Sequence, residues 1–137
     1  MYLLDTNTLI YLFKQQGHVA AHLQQLPAAQ IAVPSIVLFE LEYGVLRSSK
    51  PEVQQKGMDA ALAVYRVLPL DAPSAKAAAQ VKYTLELAGT PIGHGDQLIA
   101  GIAMANGLTL VTRNTREFSR VTGLRLENWF DTLPTRP

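Results

Sequence analysis

Short apolar runs alternate along this chain with longer stretches in which apolar residues recur at helical spacing. Met1 to Leu4 is the first such run. It stops at Asp5-Thr6-Asn7, where an Asp or Thr can cap the amphipathic stretch that continues to about Gln16. This order predicts a strand, a tight turn and a helix. A second helix is expected over about Val19 to Leu26. Ile31-Ala32-Val33 is a candidate short strand ahead of Pro34, which has no N–H to give a ladder. Ser35 is placed to cap a third helix reaching about Arg47. Ser48, Ser49, Lys50 and Pro51 interrupt the pattern. Glu52 to about Arg66 then returns to helical spacing, with Met58, Leu62 and Tyr65 on one side, so the two segments read as a helical hairpin.

Val67 to Leu70 forms another candidate strand, and Asp71 to Leu87 an alanine-rich helix that exits through Ala88-Gly89-Thr90-Pro91. The small side chains of Ala77 to Ala79 point to tight helix packing. Gly93-His94-Gly95 reads as a loop before a helix from Asp96 to Ala105, and Asn106-Gly107 ends that helix. Leu108 to Val111 is short, apolar and bounded by turn signals, as a buried strand should be. Strands alternating with helices imply a parallel sheet covered on both faces. The expectation is a single domain over residues 1–137, α/β in class: three α/β/α layers around a short, mostly parallel sheet. Such sheets bind ligands beyond the carboxyl ends of their strands. Asp5 directly follows the first strand, and Arg113-Asn114 follow the late one.

Composition narrows the chemistry. The 137 residues and 48% hydrophobic content suffice for one core. With no cysteine, the chain has no disulfide framework, thiolate zinc site or cysteine nucleophile, which suits a reducing, cytoplasmic setting. Asp5 interrupts the apolar start and no basic residue precedes Lys14, so a secretory signal is not expected. The uncharged stretch Gln97 to Thr112 is broken by Asn106-Gly107 and is too short to span a bilayer. With 12 basic and 11 acidic residues the net charge is +1, so a polyanion would have to be held by a local patch.

The acidic positions carry the candidate chemistry. Asp5 and Asp96 each stand where either a helix cap or a functional carboxylate fits. The glycines flanking His94 leave backbone room for a substrate. Glu40 lies in the mostly apolar stretch Ile31 to Leu46, where a buried carboxylate must be paired, protonated or metal-bound. Glu42 has an equally apolar surround, and physical reading leaves the choice between them open. Clustered carboxylates resist ionising together unless a cation joins them. Mg²⁺ or Mn²⁺ would fit, since these ions take oxygen ligands, keep several waters, activate a water nucleophile and stabilise charge on a phosphodiester.

Four stretches, in this order, resemble the PIN-domain family, and most closely its VapC-like toxin branch: LLDTNTLIY at Leu3 to Tyr11, FELEYG at Phe39 to Gly44, GTPIGHGDQLIAGIA at Gly89 to Ala103, and LTLVTRNTREFSRVTGLRLENW at Leu108 to Trp129. The resemblance implies catalytic acids at Asp5, Glu40 and Asp96, with Asp5 and Asp96 as direct metal ligands and Glu40 as a direct or water-mediated one. It selects Glu40 over Glu42, because the pattern is Glu-Leu followed two residues later by Gly. In the last block many relatives carry Asp where this chain has Asn114, and others keep Asn beside an acid matching Glu117, so either Asn114 or Glu117 completes the site. Thr6, Asn7, Thr112 and Asn114 are the residues that could orient the acids by hydrogen bonds. Arg113, Arg116 and Arg120 could contact RNA phosphates, with a solvated basic edge as the plain alternative. His94, two residues before Asp96, is not required as a base where a metal activates water.

The resemblance further implies an endoribonuclease toxin that cleaves RNA selectively, commonly transfer RNA, is inhibited by a cognate VapB-like antitoxin and forms a homodimer. Two other functions remain open on the residues alone. A non-catalytic RNA- or protein-binding module would tolerate the uncharged Asn114. A Mg²⁺-dependent phosphatase using Asp5 as nucleophile would usually want a second Asp at the position of Asn7.

Overall fold

In the computed structural model, which describes residues 1–135, the apolar runs form a five-stranded sheet. The last two residues of the domain expected over 1–137 lie outside the described residues. The elements in chain order are β1 (Tyr2–Leu4), α1 (Thr6–Phe13), α2 (Val19–Gln24), β2 (Ile31–Pro34), α3 (Ser35–Leu46), α4 (Pro51–Leu62), β3 (Arg66–Leu68), α5 (Ala72–Leu87), α6 (His94–Ala105), β4 (Thr109–Val111), α7 (Thr115–Phe118) and β5 (Leu126–Glu127). The strand order is β3-β2-β1-β4-β5, and every pairing is parallel. β1 is central, with Tyr2 in register with both Ile31 and Thr109.

Leu3, Leu4, Ala32, Leu110 and Val111 are fully buried. Continuous apolar burial of this kind belongs to a parallel sheet covered on both faces, and it explains why these strands are uniformly apolar rather than alternating. From β1 the chain steps outward through β2 to β3. It then crosses back to β4 and β5 on the other side of β1. Right-handed crossovers therefore put α1 to α4 on one face and α5 to α7 on the other. The reversal falls between β1 and β4, and sheets of this kind bind ligands beyond the carboxyl ends of the strands at such a reversal.

Several local expectations are corrected. α6 begins at His94, with Gly93 as its flanking residue, so Gly93-His94-Gly95 is a helix start and not a loop. Ser35 is the first residue of α3 rather than its cap, and Pro34 precedes it with no side-chain capping bond. β3 lies at Arg66–Leu68, one residue earlier than its apolar run, because pairing with Ala32–Pro34 sets its register. α7 and β5 were not expected: four residues cannot display a helical period, and a two-residue strand is defined only by its partner β4. The expected tight packing of α5 is present. A Cβ on Gly101 of α6 would come within 2.6 Å of Ala78 Cβ. Among the described residues no helix is long and apolar enough to cross a membrane.

Candidate active site

Asp5 closes β1, and its backbone N–H donates to Val111 O at 3.2 Å, fixing it beside the end of β4. It is also the cap of α1: Oδ1 accepts from the Thr8 N–H at 2.9 Å. The cap and ligand readings therefore do not compete, because a capping carboxylate has a second oxygen to offer. Burial pushes the Asp5 carboxyl above its ordinary range, while hydrogen bonds from Thr112 and Thr8 pull the other way. Thr112 is fully buried, and its Oγ1 accepts from the Asn114 N–H at 3.0 Å, which leaves its hydroxyl proton for Asp5.

Asp96 is the third residue of α6, half-buried, so its placement as the helix cap is corrected. Its carboxyl is pushed up to about 6, first by burial and then by the charges of Asp5, Glu117 and Glu40. Three acids from three other parts of the chain thus converge on it. Neither of the two ion pairs among the described residues, Lys82–Glu86 and Arg113–Asp131, includes any of these four acids.

Glu40 needs a correction of reason. It is exposed, because α3 buries only Val37, Leu41 and Val45, so it does not meet the requirement for a buried partner. What fixes it is Thr6, whose Oγ1 donates to Glu40 Oε1 at 3.0 Å. A Cβ on Gly95 would stand 3.7 Å from the same oxygen, and one on Gly93 3.5 Å from Asp96 Oδ2, so the glycines keep space open at both carboxylates. Glu42 accepts from Gln55 Nε2 at 3.2 Å and ties α3 to α4 instead. Asn114 Nδ2 donates to Glu117 Oε2 at 2.9 Å, so the two rivals for the fourth position are one bonded unit.

Other candidates lie at the margin. Asn7 and His94 are exposed, with no hydrogen bond from their side chains among the described residues. Arg120 Nη1 donates to Pro91 O at 3.2 Å, and Arg113 is engaged by Asp131, so only Arg116 of the three arginines is unengaged among the described residues. Two residues escaped sequence reading. Thr8 joins both site strands through Oγ1 to Val111 O at 3.1 Å; standing three residues beyond an Asp cap was its signal. Buried Gln97 donates to Ile92 O at 3.2 Å and holds the segment ahead of α6, with no signal beyond its adjacency to Asp96.

Among the described residues no three His, Asp or Glu side chains are gathered tightly enough to chelate an ion unaided. The donor set still fits Mg²⁺ or Mn²⁺, since it is all oxygen and such ions use one or two carboxylates plus waters. Without a cation the repulsion has a measurable consequence. Asp96 titrates higher folded than unfolded, so its stabilising protonated form is fully present below about pH 3.8 and is lost as pH rises through about 6. In EDTA, Asp96→Asn should match the parent near pH 4 and exceed it by about 1 kcal/mol at pH 7.5, a figure discounted for solvent screening. Equal melting temperatures at pH 7.5 would contradict the convergence.

The family model of the PIN domain matches residues 2–124. The chain is 37% identical over 128 residues to "tRNA(fMet)-specific endonuclease VapC" of Salmonella typhimurium, covering 93% of this chain and 97% of the relative. It is 38% identical over 131 residues to "Ribonuclease VapC2" of Rickettsia felis, covering 94% and 98%. The fold superposes on a chain of the crystal structure of VapBC2 from Rickettsia felis bound to a promoter DNA fragment, with a TM-score of 0.88, 38% identity, and coverage of 93% of this chain and 98% of that one.

Proposed function

The chain belongs to the PIN-domain family, and from that premise we propose that it is a divalent-metal-dependent endoribonuclease, the toxin of a VapBC-type toxin–antitoxin pair. Its reaction is hydrolysis of RNA phosphodiester bonds. Transfer RNA is the proposed substrate, as the name of the Salmonella relative suggests. The observation that carries the reading is the convergence of Asp5, Glu40 and Glu117 on Asp96, whose carboxyl is raised first by burial and then by their charges, with no ion pair to it among the described residues.

Asp5 and Asp96 would hold the ion directly, and Glu40 directly or through water. When bound, Mg²⁺ or Mn²⁺ supplies Lewis-acid polarisation and neutralises charge on the phosphodiester. The chain's own part is orientation. Thr8 and Thr112 fix Asp5, Thr6 fixes Glu40, and Asn114 fixes Glu117, so the carboxylates do not have to be ordered when substrate arrives.

A VapB-like antitoxin is the proposed inhibitor. A groove of about 850 Å³ between α1, α3 and α4 supports this: it is lined by Ile10, Leu41, Val45, Met58 and Tyr65 and reaches Glu40, so an apolar segment seated there would lie beside the site. A homodimer and a cytoplasmic setting complete the reading. Exposed Phe39, Tyr43 and Leu46 on α3 supply an apolar face suited to a second copy.

The test is cleavage of purified tRNA by the purified chain with Mg²⁺, Mn²⁺ or EDTA. Fragments are expected with either metal and none in EDTA. Equal cleavage in EDTA removes the metal, and tRNA binding without fragments favours the non-catalytic module.

A further inference from the structure

Arg113 lies between the site and the end of the chain. It follows buried Thr112, and its side chain is 45% exposed. Its Nε and Nη2 donate to the two oxygens of Asp131 at 3.2 and 3.5 Å, and its guanidinium carbon lies 3.7 Å from the centre of the Phe130 ring. The Tyr11 ring lies alongside as well, its centre 5.7 Å from the same carbon. The acid is itself held. Asn128 Nδ2 donates to Asp131 Oδ2 at 2.8 Å, and Asn128 Oδ1 accepts from the backbone N–H of Phe130 and of Asp131, each at 3.0 Å. Phe130 is seated firmly too: a Cβ on Gly17 would meet its ring at 2.5 Å, and its carbonyl accepts from the His18 N–H at 3.1 Å.

An exposed ion pair adds little to stability and costs the freedom of two long side chains. Holding Arg113 this closely therefore needs another reason. A guanidinium has five N–H donors in a rigid fork. Asp131 takes two, which leaves three on a side chain that is 45% exposed, a geometry suited to phosphate oxygens. We propose that Asp131 and Phe130 are positioning residues that preorganise Arg113 as a phosphate contact for RNA at the site. The inference rests on the nuclease reading above. Arg116, the neighbouring cation, has no such scaffold among the described residues.

Charge counting and positioning predict opposite signs for one substitution. Asp131→Asn deletes a negative charge where a polyanion docks, so charge alone would tighten RNA binding. Loss of positioning weakens it. Binding is read by fluorescence anisotropy of labelled bulk tRNA in EDTA, with KM and kcat for its cleavage in Mg²⁺. Asp131→Asn is expected to weaken binding about threefold to tenfold and to raise KM alike with kcat little changed. Asp131→Glu should recover part of the loss, and Phe130→Leu should weaken binding in the same direction. Arg113→Gln should weaken binding at least as much and lower the salt slope of log K by about 0.7 to 0.9. Tighter or unchanged binding in Asp131→Asn overturns the inference. If Asp131→Asn does not fold, Arg113→Gln decides the matter, since unchanged affinity and salt slope in that variant overturn it as well. A parent chain that neither binds nor cleaves tRNA removes the nuclease reading and this inference with it, whereas failure of the variants alone removes only the inference.

Discussion

Replacing Asp5 with asparagine is expected to cut RNA cleavage at least about a hundredfold while leaving the fold standing. The magnitude is a floor, because losing even a residue that merely orients a metal ligand costs about 10- to 100-fold. The fold should survive because asparagine caps a helix as well as aspartate does, and its carbonyl oxygen can still accept from the Thr8 N–H, the bond now made at 2.9 Å. Removing the charge also removes the burial penalty that pushes the Asp5 carboxyl up. Melting in EDTA should therefore be unchanged or slightly higher. Cleavage assays and thermal melts on the same preparation separate the two roles of Asp5. Near-parental cleavage would mean that its second oxygen has no part in the chemistry, and a collapsed melt would mean that the cap is its main role.

The largest effect on stability is expected at Gly101. A Cβ there would stand 2.6 Å from Ala78 Cβ and 2.7 Å from both Ala78 N and Ser74 O. Two of those three atoms are backbone, so α5 and α6 would have to separate. Gly101→Ala should cost at least about 1–3 kcal/mol, a fall of roughly 3–10 °C in melting temperature. The same substitution at Gly57 in α4 meets nothing within 4 Å, and there it should add about 0.5–1 kcal/mol by stiffening the unfolded chain. Opposite signs from one chemical change would isolate the close helix contact as the cause. A Gly101→Ala variant as stable as the parent would show that the two helices have room to give.

The strands and most helices were legible because their signals are local. The apolar runs at Leu3-Leu4 and Leu110-Val111 announce buried parallel strands, and an Asp three residues before Thr8 announces a helix start. These patterns sufficed for the α/β class and for placing Asp5 at a strand end. They missed β5, because Leu126–Glu127 has no apolar run and exists as a strand only through its pairing with β4.

The site was less legible. Glu40 and Glu42 have equally apolar surroundings in the sequence, so that apart from the family pattern only the position of Thr6 against one and Gln55 against the other separates their roles. Glu40 also proved exposed, since an apolar sequence around a residue does not fix which side of its helix faces the core.

By itself, then, the sequence determined most of the strands and helices and the place of Asp5 between the first strand and the first helix, since propensity, capping and hydrophobic period act over a few neighbouring residues. Only the tertiary structure decided the strand order that reverses between β1 and β4, the gathering of three acids around Asp96, and the docking of Asp131 on Arg113. Those depend on contacts between residues far apart in the chain, and packing, burial and charge act through space rather than along the sequence.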